Sequence, residues 1–244
     1  MLLVGHGTRD SHGADEFQQV ASCVQQLLPK IDVQPAFIET LEPNIVDGVQ
    51  QLVARGVDTV TVTPLLLFAA GHAKRDIPDA VSTAKRKFVQ TTIKQAQHLG
   101  CHPKLLQLSA ERCREAEKVR RPPNGETIVV LVGRGSSDPH TVTEMKAFAA
   151  QRQLLTPSTP ITTAFVALAT PSLDEVVADV RRRRIPFVVV QPHLLFSGAM
   201  VDKLRYRVAT SNERETNQYW QLAQPLGPNR QVAEAVVDRF LQAQ

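Results

Sequence analysis

The sequence predicts an α/β protein built from two similar parallel-sheet domains. Three observations carry that reading: an internal repeat, short apolar runs alternating with amphipathic segments, and a length suited to two cores. The repeat comes first. Leu3-Val4-Gly5-His6-Gly7-Thr8-Arg9-Asp10 falls on Leu131-Val132-Gly133-Arg134-Gly135-Ser136-Ser137-Asp138, an offset of 128 residues. The same offset carries Phe37 onto Phe165, Pro43 onto Pro171 and Pro64-Leu65-Leu66-Leu67-Phe68 onto Pro192-His193-Leu194-Leu195-Phe196; Leu99-Gly100 meets Leu226-Gly227 one residue short of it. The 244 residues allow two domains of about 120, each able to bury its own core.

The elements follow in order. Leu2 to Val4, Val33 to Ile38 and Thr59 to Phe68 are short, rich in β-branched residues and almost continuously apolar, the pattern of strands covered on both faces. Between them, Ala14 to Leu28 sets Phe17, Val20, Ala21, Val24, Leu27 and Leu28 at helical spacing. Ile45 to Ala54 follows the start signal Pro43-Asn44, and Ile77 to Phe88 gives a third helix. A strand near Ile93 to Leu99 and a helix from Pro103 to Ala116 complete the half. The second half repeats this through strands at Thr127 to Val132, Ile161 to Val166, Phe187 to Phe196 and Gln221 to Leu226, with Val232 to Leu241 as its last helix. Such alternation implies open parallel sheets with right-handed crossovers. The expected lobes are 1–119, carrying the active site, and 127–244, a degenerate copy. The linker 120–126 contains the charged, proline-rich stretch Arg120-Arg121-Pro122-Pro123-Asn124-Gly125.

Composition narrows the function. With 43% hydrophobic and 21% charged residues, the chain is neither disordered nor fibrous. The opening apolar run, Met1 to Val4, stops at Gly5-His6-Gly7, and no stretch reaches the roughly 18 apolar residues of a membrane span. A cytoplasmic protein without a cleaved signal or membrane partner is expected. Cys23, Cys101 and Cys113 cannot all pair and match no Cys-x-x-Cys pattern, so reduced thiols are expected. A formal charge of +4 with 5% aromatic residues argues against a nucleic-acid surface and suits a polyanionic small molecule. Arg181 to Arg184 read as a basic last turn complementing a helix dipole.

Ligands of an open parallel sheet collect beyond the carboxyl ends of its strands. The first strand ends in Gly5-His6-Gly7-Thr8-Arg9. The second ends in Phe37-Ile38-Glu39 and runs into Leu41-Glu42-Pro43, and the third ends in Phe68-Ala69-Ala70-Gly71-His72. His6, His72, Glu39 and Glu42 therefore converge on one rim. Imidazole binds first-row divalent metals, and a carboxylate beside it binds metal or moves protons. The glycines flanking His6, and Ala69-Ala70-Gly71 before His72, are read as leaving room for a flat, wide ligand. Arg9, Lys74 and Arg75 are candidate partners for ligand carboxylates. His98-Leu99-Gly100-Cys101-His102 lacks a fourth metal ligand and reads as a turn. Gly5-x-Gly7 has no third glycine and is not a dinucleotide fingerprint. Ser11 is read as the cap of the first helix, and His140 and His193 as structural residues with no counterpart of their type in the other half.

Val4-Gly5-His6-Gly7-Thr8-Arg9, Phe37-Ile38-Glu39 with Glu42-Pro43, and above all Pro64-Leu65-Leu66-Leu67-Phe68-Ala69-Ala70-Gly71-His72-Ala73-Lys74-Arg75-Asp76-Ile77-Pro78 resemble the sirohydrochlorin chelatases, cobalt and iron enzymes that feed cobalamin and siroheme pathways. The resemblance covers the first half closely and the second in outline, as in a long form with internal duplication. It implies a class II chelatase fold, two flavodoxin-like lobes with a cleft between them. It implies His6 and His72 as metal ligands, His6 as proton acceptor, Glu39 as assisting acid, and Glu42, Leu67, Phe68, Ala69, Ala70 and Gly71 as tetrapyrrole contacts. The implied activity is a lyase's insertion of Fe2+, or Co2+, into sirohydrochlorin, a polycarboxylate tetrapyrrole. The metal is then a substrate, no prosthetic group is needed, and the Leu-rich strand leading to Ala73-Lys74 favours iron. The chemistry agrees, since insertion must remove two pyrrole protons and desolvate the ion while the ring is held in place.

At the 128-residue offset His6 becomes Arg134, Glu39 becomes Ala167, Glu42 becomes Thr170 and His72 becomes Met200. The second half is expected to form a wall of the site, with Arg134 facing a substrate carboxylate, in a monomer of pseudo-dimeric lobes. Other readings remain: a Ni2+ chelatase, or a non-catalytic metal or tetrapyrrole carrier that could dispense with Glu39. A mononucleotide binder is disfavoured by the lack of a phosphate-cradling loop.

Overall fold

The computed structural model describes residues 1–68, 73–120, 125–214 and 217–244. The first half of the chain forms β1 (Leu2–Gly5), α1 (Ser11–Leu27), β2 (Gln34–Phe37), α2 (Ile45–Ala54), β3 (Thr59–Pro64), α3 (Ala73–Lys87), β4 (Thr92–Gln95) and α4 (Pro103–Arg120). The second forms β5 (Thr127–Gly133), α5 (Pro139–Leu154), β6 (Ile161–Phe165), α6 (Leu173–Arg182), β7 (Phe187–Pro192), α7 (Ala199–Arg214), β8 (Tyr219–Leu222) and α8 (Arg230–Gln242). Both sheets are wholly parallel, in the orders β2-β1-β3-β4 and β6-β5-β7-β8. The winding direction reverses once in each, between β1 and β3 and between β5 and β7, as in flavodoxin-like sheets.

Helices cover the sheets because the strands are apolar on both sides. In the first sheet, Leu2, Val4, Val60 and Val62 pack with Ile45, Val49 and Leu52 of α2 and with Ile77, Val81 and Ala84 of α3. Ile128, Val130, Val188 and Val190 meet α6 and α7 in the same way. The apolar run expected to pair through Phe68 leaves the ladder at Pro64, which has no N–H to donate. It stays tied to the sheet, since Leu65 N donates to Val4 O (2.8 Å) and Leu66 and Leu67 carbonyls accept from the amides of Leu99 and Gly100 (2.9 and 2.8 Å). That bonding also explains why β4 and β8 end earlier than expected: the apolar residues beyond them lie in buried connections, not in the ladder.

The expected lobes follow the repeat, but the compact units do not. One unit comprises Met1–His102 and Gly227–Gln244, the other Pro103–Leu226. The helix that closes each repeat therefore packs on the other repeat's sheet, and linker residues 121–124 lie outside the described residues. Side-chain chemistry accounts for the exchange. On α4, Cys113 and Ala116 join Val129, Phe187, Val189 and Ala223. The fully buried Arg152 of α5 donates to Ser109 Oγ (3.2 Å) and Thr156 Oγ1 (2.7 Å), while Gln191 Nε2 donates to Ser109 O (2.5 Å). In the repeat the positions of Arg152 and Ser109 correspond to Val24 on α1 and Val236 on α8, both fully buried, and α1 packs on α8. Pairing α4 with α1 would strip a buried guanidinium of its acceptors, which costs more than an apolar mismatch. Polar contacts also hold α8: Arg239 Nη2 donates to Leu99 O (2.9 Å) and Gln244 Nε2 to Thr61 Oγ1 (3.0 Å).

Smaller expectations are corrected. The cap of α1 is Asp10, whose Oδ1 accepts from His12 N (3.0 Å), because the carboxylate reaches the free amides of the first turn. Ser11 begins the helix. Asp138 caps α5 through His140 N (2.9 Å), so His140 does have a counterpart, His12. Arg181 donates to Ser211 Oγ (3.1 Å), and Arg182 and Arg183 pair with Asp179, consistent with a structural helix end. Among the described residues Cys23, Cys101 and Cys113 form no disulfide. No helix among the described residues is long and apolar enough to cross a membrane.

Two outcomes are expected. Leu108→Ala, which removes a buried side chain from α4, costs about 2–5 kcal/mol. Hydrogen exchange should accelerate first in β5 and β7, although position 108 belongs to the first repeat. His193 is 3% exposed and packs 4.2 Å from the Phe148 ring centroid; burial pushes its pKa down to about 3. Unfolded histidine titrates near 6.5, so below that pH the unfolded chain takes up a proton that the fold refuses. The stability due to neutral His193 is present above pH ~6.5 and lost as the pH falls toward 3, on the order of 2 kcal/mol between pH 7 and 5. Urea midpoints at those two pH values should differ less in His193→Gln by that amount; an equal acid loss in both proteins refutes the assignment.

Candidate functional site

Where β1 and β2 end, their chains remain paired for two more steps. Ile38 N donates to Gly5 O (3.0 Å) and Glu39 N to His6 O (3.1 Å). His6 and Glu39 therefore leave the sheet side by side on its carboxyl rim, next to the β1–β3 reversal. His6 Nδ1 lies 3.4 Å from Glu39 Oε1, with the side chains 40% and 55% exposed. A carboxylate placed there can accept the Nδ1 proton, which leaves Nε2 to bind a metal or take up a proton.

The glycines flanking His6 face protein, contrary to the expected open space. Gly7 has φ +95°, and a Cβ there would lie 1.8 Å from the Glu39 carbonyl oxygen; one on Gly5 would lie 2.6 Å from the Phe17 ring. Their small size serves the close approach of the two strand-end loops. Beyond Glu39 the chain turns through Thr40 (φ 71°) and a cis Glu42–Pro43 bond. Glu42 Oε2 accepts from Asn44 N (2.8 Å), and Asn44 caps α2. Glu42 is thus exposed but turned onto its own loop. Leu67 and Phe68 are half-buried on the rim, and Arg9, Lys74 and Arg75 are exposed. Ala69, Ala70, Gly71 and His72 lie outside the described residues.

Among the described residues no three His, Cys, Asp or Glu side chains converge as a metal-holding group; His6 and Glu39 stand there as a pair. His98 to His102 form the expected turn: Leu99 and Gly100 bond to the rim segment, and His102 Nε2 sits 3.4 Å from Asp238 Oδ2. One feature escaped the sequence reading. His12 Nε2 lies 3.6 Å from the buried Glu16, and His140 and Glu144 repeat both residue types; comparison at the 128-residue offset exposes it.

The second unit copies the backbone without the chemistry. Val166 N bonds to Gly133 O and Ala167 N to Arg134 O, both at 3.0 Å. Gly135 has φ +87°, and its Cβ would lie 1.7 Å from the Ala167 oxygen. Leu168 repeats the positive φ and Thr170–Pro171 the cis bond. Arg134 and Ala167 stand where His6 and Glu39 would be.

Sheet order, the duplicated rim and the His6–Glu39 pair on one of its two copies define a two-unit α/β protein with a candidate ligand site at a parallel-sheet switch point. The chain belongs to the CbiX family, whose model matches twice, over residues 1–116 and 128–243. It is similar to the sirohydrochlorin cobaltochelatase of Priestia megaterium, at 29% identity over 91% of this chain and 72% of that protein. It is also similar to the sirohydrochlorin ferrochelatase of Bacillus subtilis (strain 168), at 26% identity over 98% of this chain and 89% of that one. Among solved structures, SirB from Bacillus subtilis with Fe3+ matches with a TM-score of 0.86 and 25% identity, covering 99% of this chain and 93% of that one.

Gly7→Ala and Gly135→Ala should lower the melting temperature by comparable amounts, because each forces a Cβ into a carbonyl oxygen at positive φ. Only Gly7→Ala should weaken Co2+ binding, followed by the visible absorption of the ion. Equal metal binding by both variants would separate the loop clasp from the site.

Proposed function

We propose that the protein inserts a divalent metal into sirohydrochlorin, with Fe2+ favoured and Co2+ second. The observation that carries this is the His6–Glu39 pair, held at the switch point of a CbiX-family fold whose relatives are named for that reaction. His6 and His72 hold the incoming ion, as the family motif assigns them. Glu42, Leu67 and Phe68, with Ala69, Ala70 and Gly71 as the family motif assigns them, border the ring, while Arg9, Lys74 and Arg75 meet its carboxylates.

The pair has a chemical sequence open to it. With Nδ1–H directed at Glu39, the His6 Nε2 lone pair can serve as metal ligand first. Once the ion passes to the ring nitrogens, the same lone pair is free to accept a pyrrole proton, and the Glu39 carboxylate offsets the imidazolium charge that results. Exposure of both side chains lets the proton leave to water. We take the protein to act as a cytoplasmic monomer, with the metal as substrate and no prosthetic group.

The test is anaerobic insertion of Fe2+, Co2+ and Ni2+ into sirohydrochlorin, followed by the absorbance of the ring. Wild type should exceed the protein-free rate. His6→Ala and His72→Ala should lose about 10²–10⁴-fold, the usual contribution of a positioned acid–base group, and Glu39→Gln should lose part of that. Ring binding without acceleration for any of the three ions would leave a carrier in place of an enzyme.

A further inference from the structure

The second unit lacks the His6–Glu39 pair, yet it contains a groove of about 680 Å³ between the start of α6 and the length of α7. That volume is within the range of small-molecule sites. Val166 and Leu173 form its apolar side. Along α7, Lys203, Arg207, Thr210 and Arg214 line it at i, i+4, i+7 and i+11, so that they form one stripe down the helix. The helical rise spaces the three cations by about 6 and 10 Å. Tyr206 stands beside the stripe, 75% exposed.

The two acids of the lining are already matched by arginines. Asp174 pairs with Arg207 and Asp202 with Arg205. Among the described residues Lys203 and Arg214 have no ion-pair partner, so the groove keeps a positive excess. Within the repeat, Tyr206 and Arg207 are particular to the second half, standing where the first has Pro78 and Asp79, whereas Lys203 and Arg214 correspond to the cations Arg75 and Arg86. Cations at these spacings beside an open aromatic ring suit a flat conjugated ligand with carboxylates around its edge.

We propose that this groove is a second, non-catalytic site for a polycarboxylate tetrapyrrole, an inference that rests on the function proposed above. The ring lies against Tyr206, and its carboxylates meet Lys203, Arg214 and, by displacing Asp174, Arg207. The second lobe thereby holds a tetrapyrrole apart from the reacting one.

Equilibrium titration of the full chain with uroporphyrin I, an octacarboxylate porphyrin, tests this by fluorescence, alongside metal insertion into sirohydrochlorin. Wild type should bind two equivalents. The double variant Lys203→Glu/Arg214→Glu should bind one, its groove affinity reduced at least about tenfold, with an unchanged insertion rate. Asp174→Asn frees Arg207 and should tighten the groove site, a gain that a merely structural role does not produce. Tyr206→Ala should weaken porphyrin binding there more than binding of mellitate, a ring-sized hexacarboxylate without an extended conjugated face; equal effects on both would overturn the stacking role. Intact insertion with a single equivalent bound by wild type, or two equivalents surviving in the double variant, would overturn the groove site alone. Absence of both insertion and porphyrin binding would overturn the proposed function itself.

Discussion

The backbone clasp beyond β1 and β2 sets the geometry of the candidate site. Two amide-to-carbonyl bonds carry the parallel pairing past the named strands, and Gly7 lets the Glu39 carbonyl come closer than any Cβ would permit. The distance between His6 and Glu39 follows from this approach. So does the sharp turn through Thr40 that delivers the chain to the start of α2. The same clasp recurs at Gly135 and Ala167 with neither imidazole nor carboxylate. The clasp therefore belongs to the fold, and the first unit uses it to place chemistry.

Exchange of the closing helices rests on a different force. A parallel sheet with apolar faces accepts almost any amphipathic helix, so apolar burial alone would not decide which helix covers which sheet. The decision lies with a few buried polar groups. Arg152, Ser109 and Gln191 complete one another in one unit, whereas Val24 and Val236 occupy the corresponding positions in the other. Apolar contacts supply most of the stabilisation, and the polar cluster supplies the discrimination.

The two units have diverged in charge more than in shape. The first keeps a histidine–carboxylate pair on its rim; the second has an arginine and an alanine there, and on α7 it sets Tyr206 and Arg207 where α3 has Pro78 and Asp79. A duplicated fold allows this division, because a strand end freed from proton and metal chemistry can change its side chains while the hydrogen-bonded frame beneath it stays intact.

Much was legible in the sequence. Strand and helix order, the duplication, the parallel sheets and the placement of His6 and Glu39 on one rim all follow from local periodicity and from repeated landmarks, which act over a few residues or at a fixed offset. Asp10 as a cap could also have been read locally, since a carboxylate ahead of the first turn outcompetes the serine after it. Three features required tertiary structure. The flanking glycines predict open space for a ligand, whereas Gly7 admits a carbonyl from a loop more than thirty residues away. The apolar run through Phe68 looked like strand, and only its bonds to Leu99 and Gly100 show it to be rim. The lobe boundaries followed the repeat, whereas the compact units exchange α4 and α8. Which elements form and which residues reach the rim is settled along the chain, because propensity and alternation are local. Which helix closes which sheet was decided only in three dimensions, where a buried arginine has to find its acceptors.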